Sequence, residues 1–399
     1  MARYKIKNIA RTGSGGTPTS SKKEYYANGN IPWINSGELS QPFISETKNF
    51  ITELGFKNSS TKIFPKNDTV LLAMYGATAG KASLLQIDAC TNQAICAIIP
   101  DKTIVEPLFL KYKLDTMYKY LVGLSTGSAR DNLSQVGIGN IEIDVPSLEE
   151  QQRIASVLST IDCKIALNRQ INANLEALAR QLYDYWFVQF DFPNPDTNSR
   201  NYGKPYKSSG GKMVYNTQLK REIPEGWENS QMDDMCIMYQ PQTLGLNDLA
   251  KGGEYLVYGA NGTIGNYHAY NHEKSEIAMA CRGSSCGTLN RTMPQSWITG
   301  NAMVIKLKDE KIHNEYIYHA LSYVNISGAI TGSGQPQLTR TNIEKLSILK
   351  PAKDILLLFS KRVEPIVDLQ IKIRTEILSL TRQRDELLPL LMNGQVTIE

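Results

Sequence analysis

Apolar and polar positions along the chain change rhythm four times. Residues 1–147 carry short alternating runs mixed with Gly, Asn, Ser and Pro, the pattern of an irregular α+β domain rich in loops. From residue 148 to 188 the spacing shifts to alternate steps of four and three, through Ile154, Leu158, Ile161, Ile165, Asn168, Asn172, Leu175, Ala179, Leu182 and Trp186. That is a coiled-coil seam of about five heptads with Asn at two seam positions. Residues 191–225 hold Pro193, Pro195, Gly203, Pro205, Gly210, Gly211 and Pro224 among polar residues, which predicts a linker. Residues 226–350 return to the style of the first domain. Residues 355–392 repeat the seam through Phe359, Val363, Ile366, Gln370, Ile373, Ile377, Leu380, Arg384, Leu387 and Leu391.

These blocks are two copies of one plan. Gly127-Ser128 and Gly332-Ser333 each open a polar loop, followed by a Leu (Leu133, Leu338), an Ile (Ile138, Ile343) and a run ending at Pro146 or Pro351. The differences 332 − 127, 338 − 133, 343 − 138 and 351 − 146 all equal 205, and from Ile161 onward the two seams match at the same offset. A period this long exceeds any solenoid unit. It predicts two tandem modules, each a head followed by a helix, with boundaries at 1–147, 148–190, 191–225, 226–350 and 351–399. Two matched helices of ~35 residues are expected to pack on each other antiparallel as a rod roughly 50 Å long with a head at each end.

The heads repeat internally as well. Tyr75-Gly76-Ala77-Thr78-Ala79-Gly80-Lys81 aligns with Arg282-Gly283-Ser284-Ser285-Cys286-Gly287-Thr288 at an offset of 207. Gln93-Ala94 aligns with Asn301-Ala302 at 208, and Asn35-Ser36-Gly37 with Ala260-Asn261-Gly262 at 225. One scaffold with divergent loops suits two recognition heads with different targets.

Composition narrows the class. At 399 residues each half is long enough for its own core. The net charge of +4 permits local contact with a polyanion without arguing for it. The six cysteines form no close regular pairs, no signal peptide is expected, and no apolar run approaches the ~20 residues of a membrane span. A soluble, reduced, cytoplasmic protein is the expectation.

Catalytic signals are weak. Gly76 to Ala82 resembles a phosphate-binding loop, yet is one residue short and ends in Ala where Ser or Thr would hold Mg²⁺. His268, His272, Cys281 and Cys286 have no common zinc-finger spacing and no counterpart in the first head. No H-E-x-x-H or Asn-Pro-Pro-aromatic motif occurs. Neither catalytic, cofactor-binding nor metal residues are assigned.

The loop chemistry suits DNA instead. Arg and Lys match guanine O6 and N7, and Asn and Gln match adenine N6 and N7, in the major groove. The first head offers Lys81, Asn92, Gln93, Arg130 and Asn132. The second offers Arg282, Arg291, Asn301, Gln335, Gln337 and Arg340. Tyr75, Thr78, Ser128, Ser284 and Ser285, with Ser14 and Thr17, suit phosphates and the setting of register.

Across its whole length the chain resembles the specificity subunit of type I restriction–modification systems. The resemblance is carried by Gly16-Thr17-Pro18, Ile31-Pro32-Trp33-Ile34, the Tyr75–Lys81 turn and Asn92-Gln93. It continues in Pro146-Ser147-Leu148-Glu149-Glu150-Gln151-Gln152-Arg153-Ile154, the Ser208–Trp227 passage, and Leu387 to Val396. The second helix opens with Lys353-Asp354-Ile355 and lacks the Glu-Glu-Gln-Gln phrase. The resemblance implies two target-recognition domains separated by antiparallel spacer helices, with each domain reading half of a bipartite, asymmetric DNA site. It implies docking of two modification (adenine methyltransferase) subunits, joined by restriction subunits. S-adenosylmethionine, ATP and Mg²⁺ would belong to those partners, and the chain itself would be non-catalytic. The alternatives are a type II system with a fused methylase–nuclease partner, or a coiled-coil scaffold without DNA binding, which would lack salt-dependent duplex affinity.

Overall fold

A computed structural model describes residues 1–126, 133–250, 252–332 and 334–398. The chain is α+β and divides into two compact units, Met1–Asn168 with Glu376–Glu399, and Arg169–Thr375. Each unit holds one head and a stretch of both long helices.

In the first unit a five-stranded sheet runs, in spatial order, Ala10–Ser14, Ile95–Pro100, Val70–Ala73, Ala82–Leu85 and Phe43–Ile44. The strands Ile95–Pro100 and Val70–Ala73 are apolar without interruption because both faces are covered, and the two-residue pleat sends successive side chains to opposite cores. Val70, Leu72, Cys96 and Ile98 face a core shared with Phe109, Leu110 and Tyr112 of the helix Pro107–Thr116 and with Ile154, Leu158 and Leu391 of the long helices. Leu71, Ala73, Ile95 and Ala97 face a second core closed by Ile34, Leu39 and Phe64. A second sheet orders Phe50–Ile51, Ile31–Ile34, Ala89–Thr91 and Ile63–Phe64.

The second unit repeats this. Its main sheet orders Cys236–Tyr239, Ala302–Leu307, Ile277–Ala280 and Leu289–Arg291, and its smaller sheet Gly262–Tyr267, Tyr255–Gly259 and Trp297–Ile298. Ile277, Met279, Met303 and Ile305 face the large core, while Ala278, Ala302 and Val304 face a small one.

Strand register fixes the equivalences. Ala73 pairs with Ile95 and Ala280 with Ala302, so the offset is 207 on both sides of that ladder. Trp33 pairs with Cys90 and Val257 with Trp297, giving 224 for the strand before the 35–37 loop. The structure therefore corrects two sequence alignments by one residue. Asn301 stands where Ala94 stands, Gln93 corresponds to Gly300, and Ser36 corresponds to Ala260. The offset of 205 holds at the close of each head. Ser134 Oγ accepts from Gly137 N at 3.1 Å and Thr339 Oγ1 from Asn342 N at 3.3 Å, capping equivalent short helices.

The first long helix spans Leu148–Tyr183 and continues into a π-helical turn at Asp184–Val188; the second spans Lys353–Met392. Within the first unit they run antiparallel, with Arg384 Nη1 donating to Asp162 Oδ1 at 2.9 Å and Asn168 Nδ2 to Glu376 Oε2 at 2.9 Å. Within the second unit the direction is again antiparallel. Gln370 Nε2 donates to Glu176 Oε2 at 3.2 Å, and the Trp186 and Phe359 rings lie 5.8 Å apart.

Residues 191–225, expected as a linker, form a folded part of the second unit. Phe192 stacks between Trp227 at 4.9 Å and Tyr206 at 4.7 Å, and Met213–Asn216 pairs with Arg221–Pro224 as a hairpin. The prolines and glycines shape turns there, while Phe190, Phe192 and Ile223 anchor the segment in the core. Among the described residues no helix is long and apolar enough to cross a membrane.

Candidate nucleic-acid interface

The repeated turn is built by one hydrogen-bond plan. In the first head Ala73 N donates to Lys81 O at 3.0 Å, Gly80 N to Ala73 O at 2.9 Å, Ala79 N to Gly76 O at 3.1 Å and Lys81 N to Thr78 O at 2.9 Å. In the second head Ala280 N donates to Thr288 O, Gly287 N to Ala280 O, Cys286 N to Gly283 O and Thr288 N to Ser285 O, at 2.9–3.1 Å. Every partner shifts by 207. Gly76 and Gly80 have φ of 89° and 80°, Gly283 and Gly287 of 76° and 88°, the left-handed conformation that side chains resist. The residues after the first turn form the strand Ala82–Leu85, whereas a phosphate loop leads into a helix N-terminus.

In the second head the turn is joined to the later polar loop. Gly283 N donates to Pro336 O at 2.9 Å, Leu338 N to Cys281 O at 2.9 Å, and Cys281 N to Asn301 O at 3.1 Å. These bonds bring four predicted residues to one open cleft of about 560 Å³, lined by Arg282, Asn301, Gln335 and Gln337 with Ala260, Gly283 and Pro336. All four polar side chains are exposed, and Arg282 makes no ion pair among the described residues. Arg, Asn and two Gln in one concavity present donors for guanine and paired donor–acceptor amides for adenine. Ser284 is exposed and Ser285 half-buried on the same turn.

Two second-head residues stand elsewhere. Arg291 was expected to reach DNA, and the structure corrects this: its guanidinium bridges Glu176 and Glu315 and lies 3.8 Å from the centroid of the Tyr318 ring. Its Nε donates to Glu315 Oε2 at 2.8 Å, and the side chain is only 13% exposed, so its donors are spent internally. Arg340 is exposed on the short helix Arg340–Glu344 and pairs with Glu344 at 2.5 Å. It does not line the cleft.

In the first head Tyr75 is exposed at the turn, and the Lys81 ammonium sits 4.3 Å from the centroid of the Tyr118 ring. Thr78 Oγ1 donates to Ser36 O at 2.7 Å, tying the turn to the loop after Ile31–Ile34. Asn92 Oδ1 accepts from Ala94 N at 3.1 Å, shaping its own bend. Gln93 is exposed, its Oε1 accepting from Thr17 Oγ1 at 2.6 Å, while Trp33 Nε1 donates to Gly16 O at 3.0 Å. Ser128, Arg130 and Asn132 lie outside the described residues. Sequence reasoning passed over Gln135, whose Nε2 donates to Thr12 O at 2.9 Å; its counterpart at 205 is Arg340, and that offset was the available signal.

Two α+β heads on one scaffold, each exposing a polar turn and each packed on two antiparallel helices, define a duplicated recognition module. Residues 1–177 and 224–379 match the family described as type I restriction modification DNA specificity domain. The chain belongs to that family, as a type I restriction–modification specificity subunit with two repeated target-recognition domains. It is 31% identical to the type I restriction enzyme MjaIX specificity subunit of Methanocaldococcus jannaschii, covering 99% of this chain and 93% of that one. It is 22% identical to the HindI specificity subunit of Haemophilus influenzae, covering 98% and 99%. Its fold is similar to the crystal structure of a type I restriction–modification S subunit from M. genitalium, with a TM-score of 0.62 at 17% identity over 98% of this chain and 95% of that one.

Proposed function

We propose that each head reads one half of a bipartite, asymmetric DNA site, and that the paired helices set the gap and dock two adenine methyltransferase subunits. Restriction subunits join that assembly. S-adenosylmethionine, ATP and Mg²⁺ act on the partners, and this chain supplies address rather than chemistry. The observation that carries the reading is the turn built by the same four hydrogen bonds in both heads but carrying different side chains. Tyr75 stands where Arg282 stands, Lys81 where Thr288 stands, Ala94 where Asn301 stands and Ser36 where Ala260 stands. A common frame with exchanged polar tips is what two readers of unlike half-sites require, since phosphate contacts position and base contacts specify. For DNA contact we propose Tyr75, Thr78, Lys81, Asn92, Gln93, Ser128, Arg130 and Asn132 in the first head. In the second we propose Arg282, Ser284, Ser285, Asn301, Gln335, Gln337 and Arg340.

The test is reconstitution. The purified chain alone transfers no methyl group to DNA, and with a type I modification subunit it directs adenine methylation to one bipartite sequence. Methyl transfer by the chain alone, or methylation without sequence preference in the complex, contradicts the proposal.

A further inference from the structure

Each unit contains a charged cluster, buried at its centre and partly exposed at Glu176 and Arg384, that ties its head to both long helices. In the first unit Asp162 of the first helix accepts from Arg384 Nη1 of the second at 2.9 Å and from the Tyr112 hydroxyl of the head at 2.8 Å. Lys111 Nζ lies 3.7 Å from the same carboxylate and 2.8 Å from Asp115. Lys111, Tyr112 and Asp162 are at most 3% exposed. In the second unit Glu176 of the first helix accepts from Arg291 Nη2 of the head at 3.0 Å and from Gln370 of the second helix. Arg291 also holds Glu315, and Arg374 of the second helix donates to Arg291 O at 3.1 Å. Burial alone would raise the Glu176 carboxyl, but Arg291 outweighs it and holds it below the ordinary glutamate value.

The clusters are built from non-equivalent residues. At the offset of 205, Asp162 and Arg384 correspond to Val367 and Ala179, and Gln370 corresponds to Ile165; all three counterparts are buried apolar residues. At 207, Arg291 corresponds to Leu84, again buried. Glu176 corresponds to Thr381, so the same scaffold positions accept uncharged side chains and the charges are not what the fold itself demands. Buried ion pairs contribute little net stability against an apolar replacement, and their best-attested use is to select one register or orientation.

We propose that Arg291–Glu176 and Asp162–Arg384 are positioning residues that hold each head at one orientation on its own helix segments, and so restrict the complex to a single gap between half-sites. This rests on the bipartite reading above. Arg291 leaves the strand that follows the recognition turn after only three residues, so its clamp acts on the turn's own support. Hydrophobic packing is non-directional and permits small rotations. A bidentate guanidinium between two carboxylates does not.

The experiment maps methylated adenines made by the reconstituted complex on a library in which the gap between half-sites varies by one base pair either way. One variant is Asp162→Val with Arg384→Ala, installing the residues the other unit uses. The second is Arg291→Lys, which keeps the charge but cannot bridge both carboxylates. The wild-type complex methylates one gap length. Both variants are expected to raise methylation at neighbouring gaps by tenfold or more relative to the native gap, with base identity in both halves unchanged. A folded variant pair that keeps wild-type gap selectivity overturns the inference, as does altered base identity without altered gap. Failure of both variants to fold also overturns it, because the clusters would then be requirements of the fold. If the wild-type complex methylates no bipartite site, the proposed function fails instead.

Discussion

The two units solve one structural problem with opposite side chains. In the first, the long helices carry Asp162 and Arg384 while the strand beyond the turn carries Leu84; in the second, the helices carry Val367 and Ala179 at the equivalent positions while that strand carries Arg291. Backbone pairing, caps and turn geometry are shared, whereas the polar interior is not. The comparison separates what the duplicated fold needs from what each unit uses for its own ends. Apolar alternation and left-handed glycines recur at fixed offsets, and charge does not.

Breaking a charged cluster by removing one partner gives the largest expected effect. Arg291→Ala leaves Glu315, 1% exposed in its side chain, and Glu176 without their cation. The second unit is expected to lose ~3–5 kcal/mol, whereas Asp162→Val with Arg384→Ala removes both charges of the pair and is expected to cost ~1–3 kcal/mol, chiefly from the Tyr112 hydroxyl left without its acceptor. Denaturant unfolding checks both values, and equal losses would erase the distinction between the units.

The recognition turns sharpen the comparison at a smaller scale. Gly283→Ala adds a Cβ to open space at a φ of 76°, for which ~1–2 kcal/mol is expected. Gly287→Ala meets the same strain at a φ of 88° and also places its Cβ 2.2 Å from Ile326 Cδ1. Because Ile326 Cδ1 is the far end of a half-buried side chain that can turn aside, the loss in thermal unfolding should be at least as large as that of Gly283→Ala; a clearly smaller loss would mean the turn is not held as described.

Smaller still are changes at the exposed tips. Arg282→Ala should leave folding intact and relax one position of the half-site read by the second head, by ~1–3 kcal/mol if the guanidinium reads guanine. If it meets only phosphate, affinity falls evenly across sequences and the salt slope shrinks by about one. Arg340→Ala removes an exposed pair with Glu344, worth under ~1 kcal/mol to stability. Binding titrations against half-site variants at two salt concentrations rank the two arginines, and Arg282 is expected to dominate because it lines the cleft.

Much of this architecture was legible in the chain. Helical seams announce themselves over many residues, and Gly76, Gly80, Gly283 and Gly287 mark the turn because few other residues adopt its backbone. Single-residue register was not legible: Asn301 looked like the counterpart of Gln93, and only the pairing of Ala280 with Ala302 shows that it replaces Ala94. Composition also misled at 191–225, where turn-forming residues hid the Phe192–Trp227 stack. Arg291 looked like a base reader because sequence shows a guanidinium and not the two carboxylates, at positions 176 and 315, that enclose it.

The central claim is that the two heads are separable readers on a shared frame. Because Phe192 packs on Trp227 and Tyr206 on Phe192, an exchangeable second head begins at residue 191 rather than 226 and ends just before Pro351. The most direct measurement exchanges residues 191–350 for those of a relative with a different target that retains Arg291 and Glu315, and maps methylated adenines across a genome carrying the hybrid. One half of the recognised sequence should change, while the other half and the gap stay as they were. A hybrid that altered both halves, or shifted the gap while keeping both, would contradict the account.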